Sequence, residues 1–298
     1  MGKIAFVFSG QGDQYPGMGK ELATQYPAAA AIFAMCDGLR PGTSQQCFAG
    51  TEEELKETKN TQPCLFAMEL AAAAVLMEQG IRPDAAAGFS LGEVTAAAVA
   101  GLFDYETGFR LVCRRGELMQ QASERFDTAM AAVVKLPNET VEELCGKYEG
   151  VYPVNFNCPG QVTVSGLAAQ MPAFSADVKA AGGRALPLKV KGAFHSPFMK
   201  EAAEAFATEL GKADLRQGTI PLYSNKTAQP YAGDAAALLS EQICSSVQWE
   251  KLIRSMAADG VDTFIEIGPG RTLTNMIQRI DPGVTAVTYT EYLKEAAC

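Results

Sequence analysis

Gly88-Phe89-Ser90-Leu91-Gly92 lies between a short apolar run, Ala85 to Phe89, and an alanine-rich stretch reaching about Ala100. The run reads as a buried strand and the stretch as a helix, so the chain must turn sharply between them. A turn that tight leaves no room for Cβ atoms two residues either side of its centre, which accounts for the paired glycines. Strand, sharp turn and helix meeting at one serine is the layout of a nucleophile elbow, and it calls for an α/β body beneath it. Ser90 would stand at a helix N-terminus, where amides and the helix dipole favour an anion. A serine that merely caps the helix is the plain alternative.

The other elements agree with such a body. Lys3 to Ser9 is a β-branched and aromatic strand, followed by the glycine-rich loop Gly10 to Gly19 and a helix over about Lys20 to Met35. Residues 41 to 61 are polar and read as irregular. Helices are expected over Pro63 to Gln79 and Tyr105 to Ala122. The middle of the chain changes rhythm: strand Met130 to Lys135, helix Asn138 to Lys147, strands Val151 to Phe156 and Gln161 to Ser165, helix Ala168 to Ala181, strand Arg184 to Val190. That order, βαββαβ, is the ferredoxin-like split unit. Longer elements then resume: helix Pro197 to Lys212, strand Ile220 to Ser224, helix Trp249 to Ala258, strand Val261 to Ile267, helix Thr272 to Ile280 and strand Val284 to Val287. The expected architecture is an α/β-hydrolase-like catalytic body over 1–125 and 195–298, with a ferredoxin-like subdomain inserted over 126–194.

A serine nucleophile needs a base that is neutral near pH 7, and His195 is the only histidine among the 298 residues. It sits in Gly192-Ala193-Phe194-His195-Ser196-Pro197, where the insert rejoins the body, a natural place for a cleft residue. An unperturbed imidazole pKa near 6.5 would put the loss of its base function at about pH 5.5. An ordinary α/β-hydrolase runs Ser…Asp/Glu…His with its histidine usually near the end, whereas 103 residues follow His195, so the orienting group need not be an acid.

The eight cysteines form no CxxC pair, and one histidine cannot complete a metal set with them; reduced, mostly buried thiols are expected, Cys298 being the most exposed. No metal and no cofactor are expected. Neither phosphate-loop pattern fits Gly10 to Gly19. A formal charge of -9 argues against nucleic acid as a partner. The apolar runs Ile4 to Phe8 and Leu70 to Met77 are too short for a signal peptide or a membrane span, so no membrane partner and a cytoplasmic setting are expected.

Further motifs carry a resemblance. Phe8-Ser9-Gly10-Gln11-Gly12, Thr61-Gln62-Pro63, the serine motif with Glu93, Arg115-Gly116, Asn155-Phe156-Asn157, Pro159-Gly160-Gln161-Val162, Phe194-His195-Ser196, Val247-Gln248-Trp249 and Glu266-Ile267-Gly268-Pro269-Gly270 follow one another along nearly the whole chain. The chain thereby resembles the malonyl-CoA:acyl carrier protein transacylases of fatty acid synthesis and the related acyltransferase domains of polyketide synthases. The resemblance implies malonyl-CoA and acyl carrier protein as partners and a malonyl ester on Ser90. It implies an oxyanion hole from the backbone amides of Gln11 and Leu91, and a backbone carbonyl orienting His195, matched to Gln248. Arg115 matches the arginine that binds the malonyl carboxylate, a task its planar fork suits. Arg114 points about 100° away on the same helix, so only one of the two can face the cleft. Gln62, Asn157 and Gln161 are pocket candidates. The chain departs from the pattern at Phe89, where the family usually has histidine. Phe194 is similar to the residue of malonyl-type rather than methylmalonyl-type acyltransferases. A stand-alone acyltransferase or editing hydrolase of a polyketide pathway would share these motifs, and an inactive docking module of a synthase could retain them. Carrier proteins are typically acidic, so basic residues near the entrance are expected, with Lys179, Arg184, Lys189 and Lys191 as candidates.

Overall fold

The computed structural model describes residues 2–188, 190 and 192–296. The elements run β1 (Lys3–Phe8), α1 (Lys20–Gln25), α2 (Pro27–Leu39), α3 (Thr43–Ala49), α4 (Glu52–Lys56), α5 (Thr58–Glu78), β2 (Ala85–Gly88), α6 (Gly92–Val99) and α7 (Tyr105–Ser123). Then follow β3 (Thr128–Val134), α8 (Asn138–Cys145), β4 (Val151–Cys158), β5 (Gln161–Leu167), α9 (Met171–Ala180) and β6 (Arg184–Pro187). The chain continues with α10 (Lys200–Leu210), α11 (Ala235–Glu241), α12 (Trp249–Ala258), β7 (Val261–Ile267), α13 (Thr272–Ile280), β8 (Thr285–Thr288) and α14 (Tyr289–Ala296).

Two separate sheets result. β2-β1-β7-β8 is all parallel, with Phe8 level with both Gly88 and Ile267. Its strands are apolar on both faces because helices cover both, as parallel sheets require. The alanines of β2 and α6 keep the sheet and the helix behind it close. The second sheet, β4-β5-β3-β6, is antiparallel and has its own core around Val133, Val164 and Phe174. A bridge from Asn155 to Val247 stitches it to the body: the Phe156 amide donates to Val247 O and the Val247 amide to Val154 O, each at 2.9 Å. The C-terminal ends of β1, β2 and β7 open on one side, where parallel α/β sheets place ligands.

Several local expectations change. Residues 41 to 61 are mostly helical: Thr51 and Glu54 form a reciprocal capping box that starts α4, a signal hidden among polar residues. Helix α5 starts at Thr58 and contains Pro63, rather than beginning at the proline. The helix expected over Lys20 to Met35 is two, parted at Tyr26 because Pro27 biases the residue before it toward extended backbone. Ile220 to Ser224 makes only isolated bridges, Ala86 to Leu222 and Tyr223 to Pro230, rather than a strand. Helices α11 and α14 and a 3-10 turn at Gln242–Cys244 stand where no element was expected. The seven described cysteines are free thiols, five of them buried. Lys189, Lys191 and Cys298 lie outside the described residues; Lys179 and Arg184 are exposed. Among the described residues, no helix is long and apolar enough to cross a membrane.

Candidate active site

Ser90 leaves β2 with φ 55°, a left-handed conformation that costs a non-glycine residue on the order of 1–3 kcal/mol. The flanking glycines make the turn possible. A Cβ on Gly88 would fall 1.9 Å from the Gly92 carbonyl carbon, and one on Gly92 would fall 2.2 Å from the Phe8 oxygen. Asn225 braces the strained turn from both sides. Its Oδ1 accepts the Ser90 amide at 2.7 Å, and its Nδ2 donates to the Gly88 carbonyl at 2.6 Å. Sequence reasoning found the turn but not this brace, which comes from residue 225 through tertiary packing.

His195 also adopts left-handed backbone, φ 61°, and its amide donates to Ile243 O at 3.1 Å. Its Nε2 lies 2.7 Å from Ser90 Oγ, and its Nδ1 lies 2.9 Å from the backbone oxygen of Gln242. A carbonyl only accepts, so Nδ1 carries the proton and the Nε2 lone pair faces the serine hydroxyl. The orienting carbonyl is therefore that of Gln242, not Gln248. The Gln248 oxygen lies at the start of α12 and takes the Leu252 amide at 2.9 Å, while the 3-10 turn at Gln242–Cys244 presents the earlier carbonyl to the ring. Burial lowers the His195 pKa to about 4, and the Arg115 cation pushes the same way against the opposing Gln242 and Ser245 backbone contacts. The ring is thus neutral at pH 7, and remains so well below the ordinary imidazole value.

Arg115, on α7, is fully buried, whereas Arg114 is partly exposed and pairs with Glu117 and Glu209. Arg115 Nη1 donates to Gln62 Oε1 at 2.9 Å and Nη2 to Gln242 Oε1 at 2.7 Å; Nη2 also lies 3.4 Å from Ser90 Oγ. Two amide oxygens therefore aim a cation at the nucleophile. Burial lowers the Arg115 pKa to about 10, opposed by the Glu93 charge, and the group stays cationic at neutral pH. Glu93 is itself buried beneath the elbow, and desolvation raises its pKa to about 7 against hydrogen bonds from Tyr231, Gln242 and Asn225 and the Arg115 charge. Serine, neutral imidazole and fixed guanidinium on one point suit acyl transfer from a donor bearing a negative group.

The acyl transferase domain family matches residues 5–286. A malonyl CoA-acyl carrier protein transacylase of Bacillus subtilis (strain 168) is 40% identical over 94% of this chain and 91% of its own length. One from Escherichia coli (strain K12) is 39% identical over 98% and 97%. The chain belongs to the malonyl-CoA:acyl carrier protein transacylase family. Among solved members, that of Clostridium perfringens superposes with TM-score 0.95 at 32% identity, covering 99% of this chain and 97% of that one. A malonyl-transacylase solved in complex with its type II polyketide-synthase acyl carrier protein superposes with TM-score 0.92 at 35% identity, covering 96% and 95%.

The Ser90–His195 pair opens into a cavity of about 300 Å³ between the two sheets, lined also by Gln11, Leu91, Gln62, Asn157 and Gln161. Gln11 follows β1 and Leu91 follows the nucleophile; among the described residues neither backbone amide has an acceptor. Gln62 binds Arg115, and Asn157 Nδ2 donates to Thr163 Oγ1 at 3.2 Å while its buried Oδ1 lacks a partner among the described residues. Gln161 is at the edge, accepting from Arg279 at 3.0 Å. Phe89 lines the same cavity and meets the Trp249 ring edge-to-face, centroids 5.4 Å apart. No cluster of His, Cys, Asp and Glu among the described residues could hold a metal ion.

Proposed function

We propose that this chain moves a malonyl group from malonyl-CoA to the phosphopantetheine thiol of acyl carrier protein through an ester on Ser90. It is an acyl-carrier-protein S-malonyltransferase, the activity for which its relatives are named malonyl CoA-acyl carrier protein transacylase. Ser90 Oγ attacks the thioester carbon while His195 Nε2 takes the hydroxyl proton. The amides of Gln11 and Leu91 hold the oxyanion, and collapse releases coenzyme A thiol with the proton from His195. The carrier thiol then gives its proton to His195, attacks the ester, and restores Ser90. The Gln242 carbonyl keeps His195 in the competent tautomer throughout, and Arg115 pairs with the malonyl carboxylate.

One observation carries this reading: the nucleophile lies 2.7 Å from a neutral imidazole and 3.4 Å from a buried, anchored guanidinium. Intact mass after mixing with malonyl-CoA should show one malonyl adduct that discharges to carrier protein and is missing from Ser90→Ala. An adduct surviving in that variant removes Ser90 from the reaction; discharge to water alone makes the enzyme a hydrolase.

The finer architecture belongs to the same proposal. The body, 1–125 and 195–298, is α/β-hydrolase-like, supported by the parallel sheet with its serine turn after β2. The segment 126–194 is an inserted ferredoxin-like subdomain, supported by its βαββαβ order and strand order β4-β5-β3-β6. The free thiols accord with a reducing, cytoplasmic setting.

A further inference from the structure

Glu93 is the third residue after the nucleophile, in the first turn of α6, and is fully buried. Three donors converge on it and no cation touches it. Oε2 takes the Gln242 side-chain amide at 2.8 Å and the Asn225 backbone amide at 3.2 Å, and Oε1 takes the Tyr231 hydroxyl. Gln242 occupies the centre of the site. Its backbone oxygen faces His195 Nδ1, its Oε1 accepts from Arg115, and its Nε2 donates to Glu93 and, at 2.6 Å, to the Ser90 carbonyl.

A primary amide can turn over about its last bond, and only its partners decide which end faces which. Here Arg115 is an obligate donor and Glu93 an acceptor. Turned over, Gln242 would set NH2 against guanidinium and oxygen against carboxylate. With Glu93 removed, one of the three acceptors of Nε2 is gone, leaving the Ser90 carbonyl and, at 3.5 Å, Asn225 Oδ1, and the side chain that links the imidazole's carbonyl to the guanidinium loosens.

We propose that Glu93 is a positioning residue which, by fixing the Gln242 side chain, sets the Gln242 carbonyl on His195 and the Gln242 amide oxygen on Arg115 together. The inference rests on the reading of Ser90, His195 and Arg115 as the reacting centre. It also explains why a carboxylate is buried where it touches neither substrate cavity nor cation: its work is done through a neutral amide.

The test is the rate of Ser90 loading from acetyl-CoA and from malonyl-CoA, with unfolding monitored in parallel. Acetyl-CoA has no carboxylate, so it reports the His195 arm alone; the malonyl-to-acetyl ratio reports the Arg115 arm. Glu93→Ala and Gln242→Ala should each slow acetyl loading on the order of 10–100-fold, the scale of a small misplacement of reacting groups, and each should lower the ratio. The double variant should be no slower than the worse single, because both act through one contact. Glu93→Gln still offers an oxygen to Gln242 Nε2 and should recover to within a few-fold of the parent. Losses that multiply in the double variant, or unimpaired acetyl loading in Glu93→Ala, would overturn the proposal. A merely structural Glu93 would lower the folded fraction and leave the ratio per folded enzyme unchanged. If Glu93→Ala does not fold, Gln242→Met, which keeps the carbonyl and removes the amide, must show the same slow acetyl loading, and normal loading there refutes the idea. Arg115→Ala is the separating control: a ratio unmoved by it undoes the carboxylate reading of Arg115, while acetyl loading still judges Glu93.

Discussion

Acidification should leave acyl loading largely intact down to a pH at which an ordinary histidine base would have failed. His195 is buried against Arg115, which lowers its pKa to about 4. At pH 5.5 such a ring is about 97% neutral, whereas an imidazole at 6.5 would be about 9% neutral, a difference of roughly tenfold in active base. The quantity to measure is kcat/KM for Ser90 loading by malonyl-CoA between pH 4 and 8, since kcat/KM reports the free enzyme. In a saturated site the malonyl carboxylate, on the proposed pairing with Arg115, would weaken that repulsion and raise the histidine again. The groups facing the ring are Ser90, the Arg115 cation and the carbonyls of Gln242 and Ser245. Of these only Arg115 can be deleted without altering the ring's own hydrogen bonds, so Arg115→Ala should move the acid limb upward toward 6.5. Circular dichroism at each pH separates loss of base from loss of fold. A half-maximal pH near 6.5 in the unmodified enzyme would show that burial does not govern this histidine and that the reasoning is wrong.

Arg115→Ala should reduce malonyl transfer by roughly 10–150-fold, the equivalent of a charge-assisted hydrogen bond of about 1.5–3 kcal/mol, while acetyl transfer holds or improves. Arg114→Ala, which loses only surface pairs, should leave both donors nearly unchanged; equal slowing of both by Arg115→Ala would make that arginine structural. Glu93 gives a stability signature with a definite sign. Its folded pKa, about 7, lies above the unfolded carboxyl value, so its contribution is greatest below about pH 4.5 and is lost as pH rises through 7. Relative to Glu93→Gln, the parent should lose up to about 3 kcal/mol of unfolding free energy across that window, read by denaturant titration at pH 5 and pH 8. Parallel curves for the two proteins would mean that Glu93 is ionised throughout.

What the sequence determined by itself was everything written in short-range pattern. Paired glycines around Ser90 encode the turn because the Cβ clashes they avoid arise within five residues and the strand beside them. The βαββαβ rhythm of the middle segment and helix α13, Thr272–Ile280, follow from periodicity and punctuation. Helical spacing separated Arg115 from Arg114, and a lone histidine left one side chain to consider as base. Tertiary structure decided what depends on packing between distant segments. Which carbonyl meets His195 turns on a three-residue 3-10 turn preceding Gln248, and a run that short has too little period to read. Asn225, Tyr231 and Gln242 come from a stretch whose expected strand at Ile220 to Ser224 dissolves into isolated bridges, so no pattern marked them as neighbours of Ser90. The ionisation of His195 and Glu93 was likewise outside the reach of sequence. Residue type sets a pKa near its solution value, and only the loss of water around the folded side chains moves the histidine down, with Arg115 adding to the shift, and the carboxyl up, against the pull of Arg115.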